Sequence, residues 1–426
     1  MKKITSNELK ESYYIQQLEN GLQVVVFHRP EFVTTTAVFA TPYSSLDFRQ
    51  VDGSEKEYNF PSGIAHFLEH KMFEMKNGDV MERFAELGAN VNAFTSMTET
   101  AYYFSSSNQN IEAPLNLLLD FVQSLEITEE SVEKEKGIIV EELNMYHEIP
   151  DFRITFETLK NIYNNHPLKY DIGGTAESVR STTKEDLEQC HALNYHPSKM
   201  ILIVAGPNTP ESILEIVTKN QAGKPFQTLP NIRRYPYVEP ATCASDFSEH
   251  QMDVNRPKIS VSFKLNIPEE SIVKRSRMEW ALRFLMKLYY SPMSPNFQTW
   301  LDEKKINDYF GYDANIGPDF GYLSFFGEND SIDEFKKFIL TTLSQINTKE
   351  ILDEDLNRLK RKYFGTSVML LNLLEEECIY FLRCYFQGIS FFESMQMVTQ
   401  ITKEDIEEVY SLIDFSNHTI CAITKK

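Results

Sequence analysis

The sequence lacks the features of a membrane protein and of a nucleic-acid-binding protein. It contains no run of about 18 apolar residues, the length that a membrane-spanning helix needs. Positive charge is scarce, because 42 lysines and arginines face 62 aspartates and glutamates, and the formal net charge is −20. Nucleic acids and anionic membranes bind basic surfaces, so this charge argues against both as partners. It is compatible with basic or neutral peptides as substrates without selecting them.

Cysteine is also scarce, and no secretory signal is recognisable. The five cysteines are odd in number and widely spaced, at Cys190, Cys243, Cys378, Cys384 and Cys421. Such a set favours reduced thiols over a disulfide framework. The lysines near the N-terminus are followed by no apolar segment of the kind that a secretory signal contains. Together these observations predict a cytoplasmic protein.

The length and the order of the expected elements predict two domains. A chain of 426 residues exceeds what one ordinary core holds. A proline-containing stretch with little periodicity separates two halves, each of which opens with a strand, passes through helices and ends with a strand. We predict an N-terminal domain at 1–225, a linker at 226–256 and a C-terminal domain at 257–426. The predicted fold class is α+β, with two related halves.

Local patterns add three assignments to this outline. Residues 1–27 are interpreted as a short lead-in followed by one strand at 22–27, which begins after the turn signal Asn20-Gly21. Residues 44–61 are polar and predict turns. The helical periodicity of 352–385 predicts one long helix.

The segment PSGIAHFLEHKMFE, residues 61–74, holds two histidines and a glutamate within five positions. On a helix, His66, Glu69 and His70 would lie within an arc of roughly 100°, with apolar residues on the opposite arc. Two imidazoles at i and i+4 can bind one zinc ion. The alternative is a solvated helix face with two ordinary histidines; a chance match of this pattern is expected at roughly the 2% level.

A zinc site needs a third protein ligand, and a glutamate-rich helix further along the chain offers candidates. Thr128 can cap this helix, which should run to about His147. Glu135 and Glu142 are seven positions apart and share a face, whereas Glu141 lies about 100° away and should face solvent. With Glu142 as the ligand, Glu135 would be a supporting carboxylate. Because glutamate-rich helices are usually solvated ones, this helix alone does not decide the question.

Taken in order, these blocks resemble the pitrilysin/insulinase family of zinc metallopeptidases, which includes the mitochondrial processing peptidase. The similarity extends over nearly the whole chain and is strongest at 20–207. Family-like blocks include HFLEH (66–70), GANVNAFTSMTETAYYF (88–104), EKEKGIIVEELN (133–144), HPLKYDIGGT (166–175) and NYHPSKMILIVAGP (194–207). The resemblance implies two homologous α+β halves that form a clam-like chamber, with one Zn2+ per chain in the first half. The chain looks like a small bacterial member.

The resemblance also implies roles for the site residues. It implies His66, His70 and Glu142 as zinc ligands, with Glu135 as the second family glutamate in a catalytic role. Glu69 would be the general base that takes a proton from a zinc-bound water and passes it to the leaving amine. The sequence therefore predicts a zinc endopeptidase for short or unfolded peptides. The alternatives are a non-catalytic peptide-binding subunit on the same fold and a scaffold whose motif is unused.

The peptide substrate is expected to bind beside this site in an extended form. Residues 91–95 predict an edge strand, and the resemblance places a peptide there by addition of a strand. Asn92, Ala93 and Phe94 are the predicted contacts. The alternative is a plain hairpin strand with no ligand.

One departure from the family pattern predicts a partner subunit. Active members often carry an arginine, and a tyrosine seven residues later, after a glycine-led strand of the second half. Here that stretch reads GYLSFFGENDSID, residues 321–333, with neither residue at the expected position. In two-subunit relatives an inactive homologue supplies such contacts. We therefore predict a heterodimer with a homologous subunit that lacks H-x-x-E-H, and a homodimer is the less favoured alternative.

Overall fold

The computed structural model describes residues 1–75, 78–107, 110–226 and 228–426. The strands are β1 (Lys2–Ser6), β2 (Glu11–Gln17), β3 (Gln23–His28), β4 (Thr35–Thr41), β5 (Arg49–Asp52), β6 (Glu57–Asn59), β7 (Glu74–Met75), β8 (Gly78–Asp79), β9 (Ala89–Thr95), β10 (Thr100–Ser106), β11 (Ile201–Gly206), β12 (Ile232–Arg234), β13 (Phe247–Met252), β14 (Lys258–Lys264), β15 (Gly311–Ile316), β16 (Gly321–Glu328) and β17 (His418–Lys425).

The helices lie between these strands in both halves of the chain. They are α1 (Ile64–Met72), α2 (Val80–Glu86), α3 (Glu112–Val122), α4 (Glu129–His147), α5 (Pro150–Ile162), α6 (Ala176–Ser181), α7 (Lys184–Asn194), α8 (Pro210–Ala222), α9 (Ile272–Tyr289), α10 (Phe297–Asp302), α11 (Ile332–Ser344), α12 (Asp353–Leu370), α13 (Leu374–Gln387), α14 (Phe391–Gln400) and α15 (Lys403–Ser411). Among the described residues, none of these helices is long and apolar enough to cross a membrane.

The chain forms two compact units, each built from three stretches. Unit 1 comprises Met1–Leu143, Asp171–Pro236 and Val368–Phe392, and unit 2 comprises Asn144–Tyr170, Tyr237–Ser367 and Glu393–Lys426. The predicted division into 1–225, 226–256 and 257–426 follows the two halves of the chain instead. The two divisions differ because α5 packs in unit 2 and α13 packs in unit 1.

A seven-stranded sheet organises the described part of unit 1, in the order β1-β2-β3-β11-β4-β10-β9. The pair β3 and β11 is parallel, and the other neighbours are antiparallel. Every residue of β4 and β11 is buried, which is typical of central strands that are covered on both faces. Helices α1 and α3 pack on one face through an extended apolar core. Strand β9 lies at the edge of this sheet.

A five-stranded sheet organises unit 2, in the order β13-β17-β14-β16-β15. Its first pair is parallel and the others are antiparallel, so it repeats the order and the directions of β3-β11-β4-β10-β9. Helix α5 packs on β14 and β17 in this unit, and α13 packs on the equivalent strands β4 and β11 in unit 1. The predicted α+β class with two related halves is confirmed.

Three local predictions were wrong: the lead-in before the strand at 22–27, the turns at 44–61 and the single helix at 352–385. The expected lead-in forms β1 and β2, whose mixed polar sequences suit half-exposed strands away from the centre of the sheet. The polar stretch 44–61 contains β5 and β6, and β12 from the predicted linker pairs with β5. The same predicted linker also contains β13, whereas its residue Gln227 lies outside the described residues. The predicted helix at 352–385 is interrupted, because Leu373 is extended and separates α12 from α13.

Candidate metal centre

Helix α1 presents its polar residues on one side and its apolar residues on the other, as its sequence predicts. Ile64, Phe67 and Leu68 are buried, whereas His66 and His70 keep part of their surface exposed. The N-cap of the helix is Gly63, which has a φ of 85°. A Cβ on Gly63 would lie 2.2 Å from the carbonyl oxygen of Gly173. The start of α1 is therefore fixed by close contact with a second backbone segment.

Helix α4 brings a carboxylate to the two histidines of α1. Thr128 caps α4 as predicted: its Oγ1 accepts the N–H of Ser131 at 3.1 Å. Glu142 Oε2 lies 3.4 Å from His70 Nε2, and Glu142 Oε1 lies 3.9 Å from His66 Nε2. One potential ligand atom from each of these three residues lies within 4.8 Å of the other two. The structure thus brings His66, His70 and Glu142 together.

Glu135 lies behind this cluster. Its Oε1 is 3.1 Å from His70 Nδ1, the ring nitrogen that faces away from Glu142. Because a carboxylate accepts, Nδ1 carries the proton and Nε2 is directed at the cluster. Glu141, one position before Glu142, is exposed, as the helical register predicts. Glu135 is thus a second carboxylate that contacts a histidine but lies outside the potential ligand set.

The pKa values of the cluster reflect burial and mutual charge. Burial, and then the charge of His70, lower the pKa of His66 to about 4. Burial also acts to lower the pKa of His70, but hydrogen bonds to Glu135 and Glu142 outweigh it and raise this pKa to about 9. The hydrogen bond with His70 is the main reason why the pKa values of both glutamates are lowered. The cluster therefore combines the neutral imidazole of His66 and the protonated imidazole of His70 with the ionised carboxylates of Glu135 and Glu142.

This donor set fits zinc. Two imidazole nitrogens and one carboxylate oxygen are ligands that hydrolytic zinc sites use. The contact between His70 and Glu135 is the kind of outer carboxylate that orients a metal-ligating histidine. The lowered pKa of His66 keeps its imidazole neutral, as a ligand must be, whereas zinc would have to displace the proton that the raised pKa of His70 places on this ring.

Glu69 lies on the same side of α1 but outside the potential ligand set. Its Oε2 accepts a hydrogen bond of 2.7 Å from Thr95 Oγ1, at the end of β9. Burial is the largest influence on this carboxyl and raises its pKa. The sequence did not single out Thr95, because its contact depends on how closely the end of β9 approaches α1.

The predicted substrate-binding residues lie on β9. Within the described ranges of the chain, β9 pairs with β10 alone, so its other edge carries no strand. Asn92 is exposed, and its Oδ1 accepts the N–H of Ala93 at 2.8 Å. The Phe94 ring centroid is 6.3 Å from that of Tyr103 on β10. The predicted edge strand is confirmed, and its contact with a peptide stays a prediction.

A charged residue that sequence reasoning missed lies next to His70. Lys71 is only 2% exposed, and its Nζ lies 3.8 Å from Glu135 Oε2. Its burial could have been predicted from the sequence, because Lys71 follows Phe67 and Leu68 by four and three residues and so lies on the apolar side of α1.

Comparison with known proteins places this arrangement in context. The family described as Insulinase (Peptidase family M16) matches residues 50–176, and the one described as Peptidase M16 inactive domain matches residues 181–363. The chain is 36% identical to the "Uncharacterized zinc protease YmfH" of Bacillus subtilis over 428 residues, which cover 100% of both chains.

Two further relatives extend the comparison. A crystal structure of a putative M16-like peptidase from Alicyclobacillus acidocaldarius is similar with a TM-score of 0.90 and 33% identity, over 97% of this chain and 98% of that one. The "Probable mitochondrial-processing peptidase subunit beta" of Schizosaccharomyces pombe is 30% identical over 207 residues, which cover 47% of this chain and 43% of that protein. The similarity thus spans both halves of the chain.

Proposed function

Because the chain belongs to the insulinase family of peptidases, peptidase family M16, we propose that it is a zinc-dependent endopeptidase of short or unfolded peptides. The observation that carries this proposal is the convergence of His66, His70 and Glu142, from two helices, on one point. These three residues would hold one zinc ion per chain. When bound, zinc supplies a Lewis acid that makes water more acidic and polarises a peptide carbonyl.

Glu69 is the general base in this proposal. Its carboxyl group interacts with the charges of His70 and Glu142, and Thr95 holds it in place by a hydrogen bond. Burial raises the pKa of Glu69, which suits a group that first accepts a proton and then donates it to the leaving amine. Glu135 orients His70 and does not exchange the proton.

The peptide would bind along β9. An edge strand offers backbone groups to an extended peptide, and Thr95 joins the end of this strand to Glu69. Asn92, Ala93 and Phe94 would contact the peptide at the residues before this end. Such binding recognises an extended backbone, which short or unfolded peptides present and folded proteins do not.

The proposal is tested by removing the proton acceptor while leaving the ligands in place. Glu69→Gln should keep one zinc ion per chain but lose peptide hydrolysis by about a hundredfold or more, within the range that general bases contribute. Zinc content is measured by elemental analysis and hydrolysis with a quenched-fluorescence peptide library. Glu141→Gln, which alters an exposed carboxylate near the ligand, is the matched control and should behave as the parent. Parent-like cleavage by Glu69→Gln would refute this assignment.

We also propose that a homologous subunit without the H-x-x-E-H motif completes the enzyme. Support comes from the stretch Gly321–Glu328 and its following loop, which carry no arginine, and from a relative that is named as a subunit. Co-expression with such a homologue should give a heterodimer by light scattering, with at least tenfold greater hydrolysis than the chain alone. Full activity of the isolated chain would argue against a partner.

A non-catalytic, peptide-binding subunit on the same fold is the second candidate. The reason is that the second half lacks the arginine and the tyrosine expected after its glycine-led strand at 321–333. A parent chain that binds zinc and peptide but hydrolyses nothing, alone or with a homologue, would favour this alternative.

A further inference from the structure

Lys71 is a buried cation that the proposed reaction does not use. It is 2% exposed, and burial of an ammonium group is costly unless the charge is paired. It directly follows His70 and belongs to the buried residues of α1, which are otherwise apolar. The lysine therefore needs an explanation other than packing.

The contacts of Lys71 lead to the metal centre. Its Nζ forms an ion pair with Glu74, donates a hydrogen bond of 3.3 Å to the carbonyl oxygen of Ser131, and lies 3.8 Å from Glu135 Oε2. The other oxygen of Glu135, Oε1, lies 3.1 Å from His70 Nδ1. One carboxylate thus stands between a buried ammonium and a histidine of the cluster, with one oxygen facing each.

We propose that Lys71 is a positioning residue of the metal centre, which fixes Glu135 so that Glu135 in turn fixes the ring of His70. This inference rests on the assignment of His70 as a zinc ligand in the proposed function. Glu135 has freely rotating side-chain bonds, and its orientation matters because the Nδ1–H of His70 must find an acceptor while Nε2 faces the ion. The positive charge of Lys71, 3.8 Å from Glu135 Oε2, attracts that oxygen and so favours the orientation in which Oε1 faces the N–H.

Lys71 also connects the two helices that supply the ligands. Ser131 lies in the first turn of α4, and Glu142 lies near the end of the same helix. Because the ammonium of Lys71 donates to the backbone of Ser131, α1 and α4 are tied together on the side of the cluster away from Glu142. Burial protects these contacts from competition by water, so they restrict the positions of His70 and Glu142 relative to each other.

Zinc affinity tests this role independently of catalysis. Lys71→Met keeps the length and apolar character of the side chain but removes its charge, and should weaken zinc binding about tenfold in competition with a chelator, the lower end of what loss of an outer-sphere contact costs. Lys71→Arg should stay within about threefold of the parent, since it keeps a cation near Glu135. Glu74→Gln removes the more exposed partner of Lys71 and should not change the affinity.

A double-mutant cycle shows whether Lys71 acts through Glu135. In a Glu135→Gln background, adding Lys71→Met should cause less than about twofold further loss of zinc affinity, because the connecting carboxylate is already gone. Losses that multiply would overturn the proposal, as would a folded Lys71→Met protein with parent affinity. If Lys71→Met is not recovered folded, Lys71→Gln replaces it in the same cycle, since it keeps a donor for Ser131 and removes the charge.

The outcomes for this inference and for the proposed function are separable. Parent protein that binds zinc, loses it in His66→Ala and hydrolyses no peptide, either alone or with the homologous subunit, would refute the peptidase but leave the role of Lys71 open to the affinity test. Parent protein that hydrolyses peptides while Lys71→Met binds zinc unchanged would refute the role of Lys71 alone. Absorption bands of the cobalt-substituted protein supply a second readout, because they shift when the orientation of His70 changes.

Discussion

At the scale of single residues, the surroundings of three carboxylates match the different roles proposed for them. Burial raises the pKa of Glu69, whereas the hydrogen bond with His70 lowers the pKa values of Glu135 and Glu142. A ligand and an orienting group should stay ionised, and a base should hold a proton briefly and release it. Helix α1 thus presents Glu69, whose carboxyl is suited to proton transfer. Helix α4 presents Glu135 and Glu142, whose carboxylates are suited to binding positive charge.

Thr95 tunes the proton affinity of Glu69, and its removal should shift the pH dependence of hydrolysis. Its hydroxyl donates to the ionised carboxylate and so lowers the pKa, against the effect of burial. In Thr95→Val the pKa of Glu69 rises further, and the base is deprotonated only at higher pH. The acidic limb of the kcat/KM profile should move up by about one pH unit, as expected for the loss of a hydrogen bond to a charged group.

The control for this shift is Thr366→Val, which alters a threonine that bonds within its own helix, to the carbonyl oxygen of Lys362. Its acidic limb should coincide with that of the parent. A limb that stays in place in Thr95→Val, or moves to lower pH, would show that Glu69 does not control the profile.

The sequence could predict some of these residues and not others. The spacing of His66 and His70 predicts their shared helix face, and the helical register separates Glu142 from Glu141. Thr95 could not be predicted, since its contact depends on the tertiary approach of β9 to α1. The burial of Lys71 could be predicted, because it lies on the apolar side of α1. Its ionic partners could not, because helical periodicity does not show which groups a buried cation contacts.

At the scale of elements, the site depends on where α1 begins. Its first residue follows Gly63, whose φ of 85° lies in the left-handed region and where a Cβ would clash with the backbone of Gly173. His66 comes three positions later, so a displacement of this start would move the first of the proposed ligands. By contrast, Gly137 lies within α4, and a Cβ there would meet nothing within 4 Å apart from the backbone of its own helix.

Two glycine-to-alanine variants should therefore have opposite effects. Gly63→Ala should destabilise unit 1 by about 2 kcal/mol or more through its left-handed backbone and the contact with Gly173, and should weaken zinc binding. Gly137→Ala should stabilise by about 0.5–1 kcal/mol, because alanine favours a helix. Calorimetry of the metal-free proteins measures both effects. Equal shifts of the same sign would contradict this account of the start of α1.

At the scale of the whole molecule, each unit contains a helix that the other half of the chain encodes. Helix α13 packs on β4 and β11 of unit 1 and buries Phe381 against Tyr13 and Phe27, with ring centroids 4.9 and 5.5 Å apart. Arg29 of unit 1 also pairs with Glu377 of this helix, which is fully buried. The periodicity of the sequence could predict the two α+β halves. It could not predict the position of α13, because an apolar stripe shows that a helix is buried but not which sheet it packs on.

Neither half of the chain should fold alone. Residues 1–236 lack α13 and would expose the aromatic rings of Tyr13 and Phe27 and lose the ion pair of Arg29 with Glu377. Residues 237–426 lack α5 and would expose β14 and β17. Exposed apolar sheet faces promote aggregation, so each fragment alone should be insoluble or unfolded by circular dichroism. Co-expressed, each fragment supplies the helix that the other lacks, and a soluble complex that binds one zinc ion should form. A cooperative, monomeric 1–236 fragment would show that α13 is dispensable for the sheet that supports the candidate metal centre.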